Sequence, residues 1–172
     1  MTGSPSAIPD DDPSRELAVA RGDDAALPHV GIAGGTYTIL LSGADTRGRY
    51  CLIDMLVPPG GGPPPHRHDF EEMFTVLEGE VQLTFRGTEI TARTGDTVNV
   101  PANAPHFFRN VSREPARLLC MCSPAGQDEY FLLVGTPVTT RTTTPPSLPP
   151  EQQAAQREKG RALAPRFRTE FV

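Results

Sequence analysis

The sequence predicts an all-β fold, built as an antiparallel sandwich or barrel. Between Thr36 and Val134, short runs rich in Val, Ile, Leu, Phe, Tyr and Thr alternate with turns rich in Gly, Pro, Asn and Asp, a pattern typical of such folds. No long helical periodicity interrupts this stretch, which disfavours an α/β fold. With 172 residues, the chain has room for one domain with a sizeable core.

Nine runs are predicted to be the strands of this fold. They cover residues 37–41, 50–57, 66–68, 73–77, 80–85, 89–92, 97–100, 106–110 and 116–122. The segments between them, such as SGADTRG, PPGGGPPP and PANAP, hold residues that adopt positive φ, fix φ or hydrogen-bond to their own backbone. The prolines of PPGGGPPP are expected to keep that loop extended at the entrance to the strand at 66–68.

The two ends of the chain differ in character from the β region at 28–134. Residues 1–27 are rich in Asp, Pro, Ser and Ala without periodicity and are predicted to form a flexible acidic arm. Residues 135–172 begin as a Pro/Thr-rich linker and continue into PEQQAAQREKGRALAP, whose first proline and strong helix formers predict a short C-terminal helix at about 150–163. The segment GQDEYFLLVG, before the linker, fits either a short helix or a last strand.

Charge and hydropathy exclude several partners. The formal net charge is −5 and the pI is about 5.3, and the sequence lacks the basic stripe that nucleic-acid binding requires. Nucleic acids and membranes are therefore not expected as partners. The chain begins without a basic segment followed by an apolar one, and no apolar run approaches the ~18 residues of a spanning helix. We therefore expect a cytoplasmic protein.

Three cysteines, Cys51, Cys120 and Cys122, lie in apolar strand-like runs. An odd number in this setting suits reduced thiols better than a disulfide framework. Cys120 and Cys122 are two residues apart, so both thiols are expected on the same face of a strand. Because there is no second cysteine pair, small core residues are a better interpretation than a zinc site.

Three of the four histidines lie in two short segments. His66 and His68 are two residues apart, so on one strand both imidazoles project to the same face and can hold a single ion. Glu72 follows a tight turn and is placed on the next strand. His106 comes from a later strand and supplies a fourth group. These residue types are common ligands of divalent transition metals.

The spacing of these residues resembles the first signature motif of the cupin superfamily, G-x5-H-x-H-x3-E-x6-G. Every position is matched, by Gly60, His66, His68, Glu72 and Gly79. Glu71 would be a competing carboxylate, but the spacing to Gly79 and the alternation along the strand favour Glu72.

The second cupin motif, G-x5-P-x-G-x2-H-x3-N, is matched by Gly95, Pro101, His106 and Asn110. Asn103 stands where the family has Gly; Asn is the next residue most tolerant of positive φ, so the turn is expected to persist. Two motifs in the correct order form a much stronger signal than a lone H-x-H.

The resemblance implies a small cupin jelly-roll β-barrel at residues 28–134, often dimeric, so that a homodimer is expected. It also implies one divalent metal ion inside the barrel, held by His66, His68, Glu72 and His106. This ligand set suits Fe, Ni, Mn, Co, Cu or Zn and does not discriminate between them.

Several side chains near these ligands receive simpler interpretations. Arg67, between two ligands, is expected to face away from the metal, and His29 is interpreted as a surface or arm residue. A group of aromatic and alternating residues suggests a cavity with aromatic walls, although filling of the barrel is the simpler role for each phenylalanine. These residues are Tyr50, Leu52, Asp54, Phe70, Phe74, Phe107 and Phe108.

The resemblance favours a metal-dependent oxidoreductase, similar to the small quercetinase-like dioxygenases, that acts on an enolic or phenolic small molecule with O₂. In this interpretation Glu72 is both a ligand and the catalytic general base. Two further functions stay open: a redox-neutral cyclase or isomerase of the polyketide cyclase kind, and a small-molecule-binding protein without catalysis. The fold does not choose among them.

Overall fold

The computed structural model describes residues 8–172 and contains, within them, twelve strands, three α-helices and one 3₁₀ helix. The first six strands are β1 (His29–Ile32), β2 (Gly35–Leu41), β3 (Cys51–Val57), β4 (His66–His68), β5 (Glu71–Glu78) and β6 (Glu80–Phe85). The next six are β7 (Thr88–Arg93), β8 (Thr97–Val100), β9 (His106–Arg109), β10 (Ala116–Ser123), β11 (Thr136–Pro137) and β12 (Thr169–Phe171). The helices are α1 (Gly43–Thr46), α2 (Gln127–Val134) and α3 (Pro150–Leu163), with the 3₁₀ helix at Ala164–Phe167.

The strands form two antiparallel sheets. One has seven strands in the order β11-β1-β2-β3-β10-β5-β8, and the second has five in the order β12-β4-β9-β6-β7. The mostly β, antiparallel architecture and the nine predicted strands, β2 to β10, are confirmed.

The sheets are not closed into the predicted barrel. Strands β7 and β8 follow each other along the chain, yet they are edge strands of different sheets. Strand β8 pairs with β5 along one edge, and among the described residues its second edge does not pair with β7. The chain therefore forms two facing layers rather than one continuous barrel wall.

The core lies between the two sheets. Strand β10 alternates strictly, with Ala116, Leu118, Cys120 and Cys122 buried and the residues between them partly exposed. This period of two places one set of side chains against the interior. The same interior receives Phe74 from β5 and further buried residues from the five-stranded sheet.

The segment after β10 combines predicted helices with strands that were not predicted. The segment GQDEYFLLVG, which fitted either a helix or a strand, contains the helix α2. Helix α3 begins and ends where the sequence predicted, with Pro150 in its first turn. Strand β12 was not predicted, because three residues without a pattern pair with β4 about a hundred positions earlier in the chain.

The predicted N-terminal arm lies partly outside the described residues, which begin at position 8. Residues 8–28 contain no helix or strand, but ion pairs join them to the rest of the chain: Asp12 pairs with Arg47 at 2.5 Å and Asp23 with Arg141 at 2.7 Å. The flexibility of the arm and the boundaries at 27 and 134 stay predictions.

The interpretation of His29 as a surface residue was wrong. This residue lies in β1, only 5% exposed, and its Nδ1 is 2.8 Å from Oγ1 of Thr38 on β2. The neighbouring proline had suggested a loop, whereas strand pairing across a turn buries the ring.

Among the described residues, no helix has the length and apolar character needed to cross a bilayer.

Candidate metal centre

The structure brings the four predicted ligands together between the two sheets. His66 and His68 project from the same face of β4, and His106 on β9 is the cross-strand partner of His66. Glu72 approaches from β5 in the seven-stranded sheet. All four side chains are buried, and one possible ligand atom of each lies within 4.8 Å of those of the remaining three.

The three imidazoles are oriented by the backbone. In each histidine, Nδ1 is 2.9 Å from a main-chain carbonyl oxygen two residues away, so Nδ1–H donates to that oxygen and leaves Nε2 as the free nitrogen. The three pairs are His66 with Pro64, His68 with Phe70, and His106 with Ala104. Such carbonyl contacts fix the tautomer and the ring orientation of metal-binding histidines.

The Glu72 carboxylate lies against two of these rings. Its Oε2 is 3.0 Å from Nε2 of His68 and 3.0 Å from Nε2 of His106. An imidazole lone pair and an anionic oxygen repel each other at this distance, so the contact requires a proton or a metal cation between them. Three imidazole nitrogens and one carboxylate fit a divalent transition metal, and they do not identify which one.

The electrostatics agree with an anionic carboxylate among the rings. Burial acts to raise the pKa of Glu72, but hydrogen bonds from His106 and His68 outweigh it and hold that pKa well below its usual value. Burial opposes protonation of His106, yet the contact with Glu72 raises the pKa of this ring. In His66 burial prevails over the attraction of Glu72 and lowers the pKa to about 4.

The second oxygen of Glu72 faces two thiols. Its Oε1 is 3.4 Å from Sγ of Cys120 and 3.8 Å from Sγ of Cys122, and the two sulfurs are 3.7 Å apart. The prediction that both thiols share a face is confirmed. The sequence analysis missed their contact with Glu72, because the β5–β10 register, which pairs Cys122 with Glu72, is not visible in the chain itself.

Phe70 supports His68 in two ways. Its carbonyl oxygen receives the Nδ1–H, and its ring stacks on the imidazole with centroids 3.8 Å apart and planes 3° apart. Phe70 also borders a cavity of about 270 Å³ that Arg166, Phe167 and Arg168 line as well. Of the predicted aromatic wall, Phe70 lines this cavity, whereas Phe74 and Phe108 pack against each other in the core.

Several neighbouring residues face away from the cluster. Glu71 is exposed and accepts from Asn99, as expected from the alternation along β5. Arg67 points outward and pairs with Glu170 at 2.5 Å. Asp54, which the alternation had suggested as a cavity residue, lies instead on the outer face of the seven-stranded sheet and binds Arg117 at 2.5 Å.

The departure from the second motif is accommodated as predicted. Asn103 has φ of 69°, and its backbone N–H donates to the carbonyl oxygen of His68 at 2.6 Å. The turn therefore connects two ligand-bearing segments. Asn110, the last motif residue, is fully buried, and its Nδ2 donates to the carbonyl oxygens of Val57 and Glu114.

An apolar cleft, here named the edge cleft, opens between β7 and β8. Its volume is about 190 Å³, and its apolar lining consists of Leu83, Phe85, Ile90, Val98 and Val100. In antiparallel pairs, directly opposed side chains lie on the same face. Phe85 is opposed to His106 and Val100 is opposed to Glu72, so the inner wall of the cleft adjoins the cluster.

Residues 53–122, which include all four cluster residues, match the family model of the cupin domain. This match supports the cupin superfamily. The chain is 27% identical over 125 residues to quercetin 2,3-dioxygenase of Bacillus subtilis, an alignment that covers 66% of this chain. That alignment spans 36% of the Bacillus subtilis enzyme. A separate alignment spans 59% of an uncharacterized protein from Methanocaldococcus jannaschii. The chain therefore matches less than two thirds of the length of each relative.

Solved structures also resemble part of this chain. The polyketide cyclase RemF from Streptomyces resistomycificus aligns with a TM-score of 0.52 and 25% identity, over 57% of this chain and 74% of the cyclase. An RmlC-like cupin from Shewanella frigidimarina aligns with a TM-score of 0.56 and 19% identity, over 66% of this chain and 96% of that protein. The second likeness concerns the cupin fold alone.

Proposed function

We propose that this chain is a metal-dependent cupin oxidoreductase, a dioxygenase that acts on an enolic or phenolic small molecule. The observation that carries the proposal is the convergence of three imidazoles and one carboxylate in a buried cluster beside an apolar cleft. A bound divalent transition metal would supply Lewis acidity and, where it is redox-active, electron transfer to O₂.

The edge cleft would bind and orient the substrate. Its walls are mostly apolar, which suits an aromatic or otherwise flat carbon skeleton, and one end adjoins Glu72 and His106. A substrate seated there with its hydroxyl group toward the cluster excludes water from the buried carboxylate. Binding in the cleft would therefore fix the orientation of the reacting group before the reaction begins, which lowers the entropy cost of the reaction.

Glu72 would accept the hydroxyl proton of the substrate. Its contacts with His106 and His68 lower its pKa and so weaken it as a base; proton transfer therefore requires Oε2 to move from these rings to the substrate hydroxyl. Since this residue is 5% exposed, bulk water competes little for this position. Removal of the proton leaves an electron-rich enolate or phenolate, the form of these compounds that O₂ oxidises most readily.

The relative from Bacillus subtilis supports this assignment, because its name describes a dioxygenase of quercetin. The test begins with elemental analysis of protein purified without added metal. Protein loaded with Fe, Ni or Mn is then incubated with a panel of flavonols and catechols while dissolved O₂ is measured. We expect O₂ uptake that depends on both metal and substrate and is lost in Glu72→Gln. Failure of every metal and substrate pair to consume O₂ would refute the oxidative assignment.

A second candidate is a redox-neutral cyclase or isomerase, and the likeness to the polyketide cyclase RemF is the observation that favours it. Substrate turnover that is equally fast without O₂ would identify this class. Binding of panel compounds without turnover in either atmosphere would identify a small-molecule-binding protein. Homodimerisation and a cytoplasmic location stay predictions.

A further inference from the structure

The two oxygens of Glu72 face different chemical groups. Oε2 lies 3.0 Å from Nε2 of both His68 and His106. Oε1 lies 3.4 Å from the sulfur of Cys120 and 3.8 Å from that of Cys122. Rotation of the carboxylate about its own axis therefore breaks contacts at both oxygens.

The thiols are held in place by the sheet. Strand β10 pairs with β5 so that Cys122 is opposite Glu72 and Cys120 is opposite Phe74. Both cysteines are completely buried. Their positions depend on backbone pairing on both sides of β10, since β3 pairs along the second edge. The contact with Glu72 is thus fixed by strands rather than by a loop.

Both thiols can donate a hydrogen bond to this carboxylate. A cysteine is mostly protonated at neutral pH, because its ordinary pKa is about 8.5, and burial further disfavours the anionic thiolate. A neutral thiol is a weak donor, and the Oε1 atom of Glu72 is an anionic acceptor within reach of both sulfurs.

We propose that Cys120 and Cys122 are positioning residues for Glu72: their S–H groups donate to Oε1 and leave Oε2 as the one carboxylate oxygen that faces the histidines. The consequence is ligation through a single oxygen, which preserves one more coordination position for a substrate than a carboxylate bound through both oxygens would. This inference rests on metal binding in the proposed function and extends it to two residues outside the cupin motifs.

Cobalt(II) is the probe that tests this role. Its dissociation constant is measured by competition with a chelator, and its visible spectrum reports the number of ligands, because bands weaken as coordination number rises. We compare wild type with Cys120→Ala, which removes the donor, and with Cys120→Ser, which keeps one. The matched control is Cys51→Ala, an equally buried thiol on β3 that contacts Cys122 rather than Glu72.

We expect Cys120→Ala to bind cobalt about tenfold more weakly, within the usual range for residues that orient metal ligands, and to show weaker visible bands. Cys120→Ser should recover both properties, and Cys51→Ala should match wild type. The pair Cys122→Ala and Cys122→Ser provides the same comparison if Cys120→Ala does not fold, as judged by circular dichroism.

Three results would overturn the positioning role. The first is identical affinity and spectrum for wild type and the alanine variants. The second is a serine variant as defective as the alanine variant, which indicates packing alone. The third is a second cobalt ion per chain with sulfur-to-cobalt charge-transfer bands, which would make the thiols and Glu72 a separate metal site. Wild type that binds no metal at all would refute the proposed function itself.

Discussion

The ring of Phe70 lies flat against the imidazole of His68, with 3.8 Å between centroids and 3° between planes. The same residue also accepts the Nδ1–H of His68 through its carbonyl oxygen. A ligand to a metal is useful only if its lone pair is aimed correctly, and Phe70 restrains both the tilt and the rotation of this ring. Its side chain would therefore help to orient a predicted metal ligand without contacting the ion itself.

The Phe70→Leu variant tests this restraint. Leucine keeps the carbonyl and much of the volume but loses the stacked ring, so we expect metal affinity to fall by about tenfold. Phe131→Leu is the control, because that ring packs on Tyr37 and Tyr130 rather than on a histidine. Both variants should lose stability, but only the first should lose affinity in a chelator competition. Equal metal affinity in the two variants would contradict the role of stacking.

The adjacent residues Glu71 and Glu72 provide a matched pair. Glu72→Gln replaces an anionic ligand with a neutral amide, and we expect metal affinity to fall more than about tenfold. Glu71→Gln makes the same chemical change on the exposed face of β5, where the carboxylate bonds Asn99 and the backbone of Ala102. Affinity in this control should stay close to that of wild type. Isothermal titration calorimetry distinguishes the two, and a similar loss in both would exclude Glu72 as a ligand.

The metal-free protein should lose stability as the pH falls from about 6.5 toward 4. The folded pKa of His66, about 4, lies below the ordinary value of 6.5 because the ring is buried, so the unfolded chain binds more protons in this window and folding becomes less favourable. The slope for one such group is at most about 1.4 kcal/mol per pH unit. Urea unfolding at three pH values measures it.

Two neighbours act mainly outside this window. The lowered pKa of Glu72 gives stability that is present above its ordinary pKa of 4.5 and lost as the pH falls through the folded pKa. The raised pKa of His106 gives stability that is present below pH 6.5 and lost as the pH rises through its folded pKa. His66→Gln should therefore reduce the loss of unfolding free energy between about pH 6.5 and pH 4. An unchanged slope in this variant would show that His66 is not the group responsible.

The edge cleft can be filled without touching the cluster. Val98→Trp adds an indole to its wall, and we expect a flavonol to bind about tenfold more weakly, or roughly 1.4 kcal/mol, while metal content stays the same. Leu132→Trp adds the same group to an exposed position of α2 outside the cleft and should leave binding unchanged. Absorbance titration provides the measurement. Unaltered binding in Val98→Trp would place the substrate elsewhere.

Local sequence patterns predicted the strands and the four-residue cluster. The features that the sequence did not predict depend on long-range strand pairing. His66, His68 and Glu72 are close in sequence, so strand alternation indicated a common face for the two imidazoles, and the motif spacing added His106. The thiol contact with Glu72 depends on the register between β5 and β10, which no local pattern encodes. Burial of His29 likewise depends on pairing with β2.

The absence of barrel closure has a similar origin. The alternation of apolar and polar residues along a strand indicates which side chains face inward. A continuous barrel and two facing sheets require the same alternation, so the pattern does not distinguish between them. Whether β7 and β8 pair depends on the twist and spacing of the strands, which hydropathy does not encode. The sequence therefore predicted the layers correctly and their closure incorrectly.

Strand β12 makes one edge of the candidate site depend on residues about a hundred positions later in the chain. The three-residue strand that carries His66 and His68 has only one cross-strand pair with β9, and its second edge is completed by residues 169–171. A chain in which those residues are not yet paired has one open edge beside two of the predicted ligands. Because contacts of such long sequence separation form slowly, this edge would be among the last parts of the site to be completed during folding.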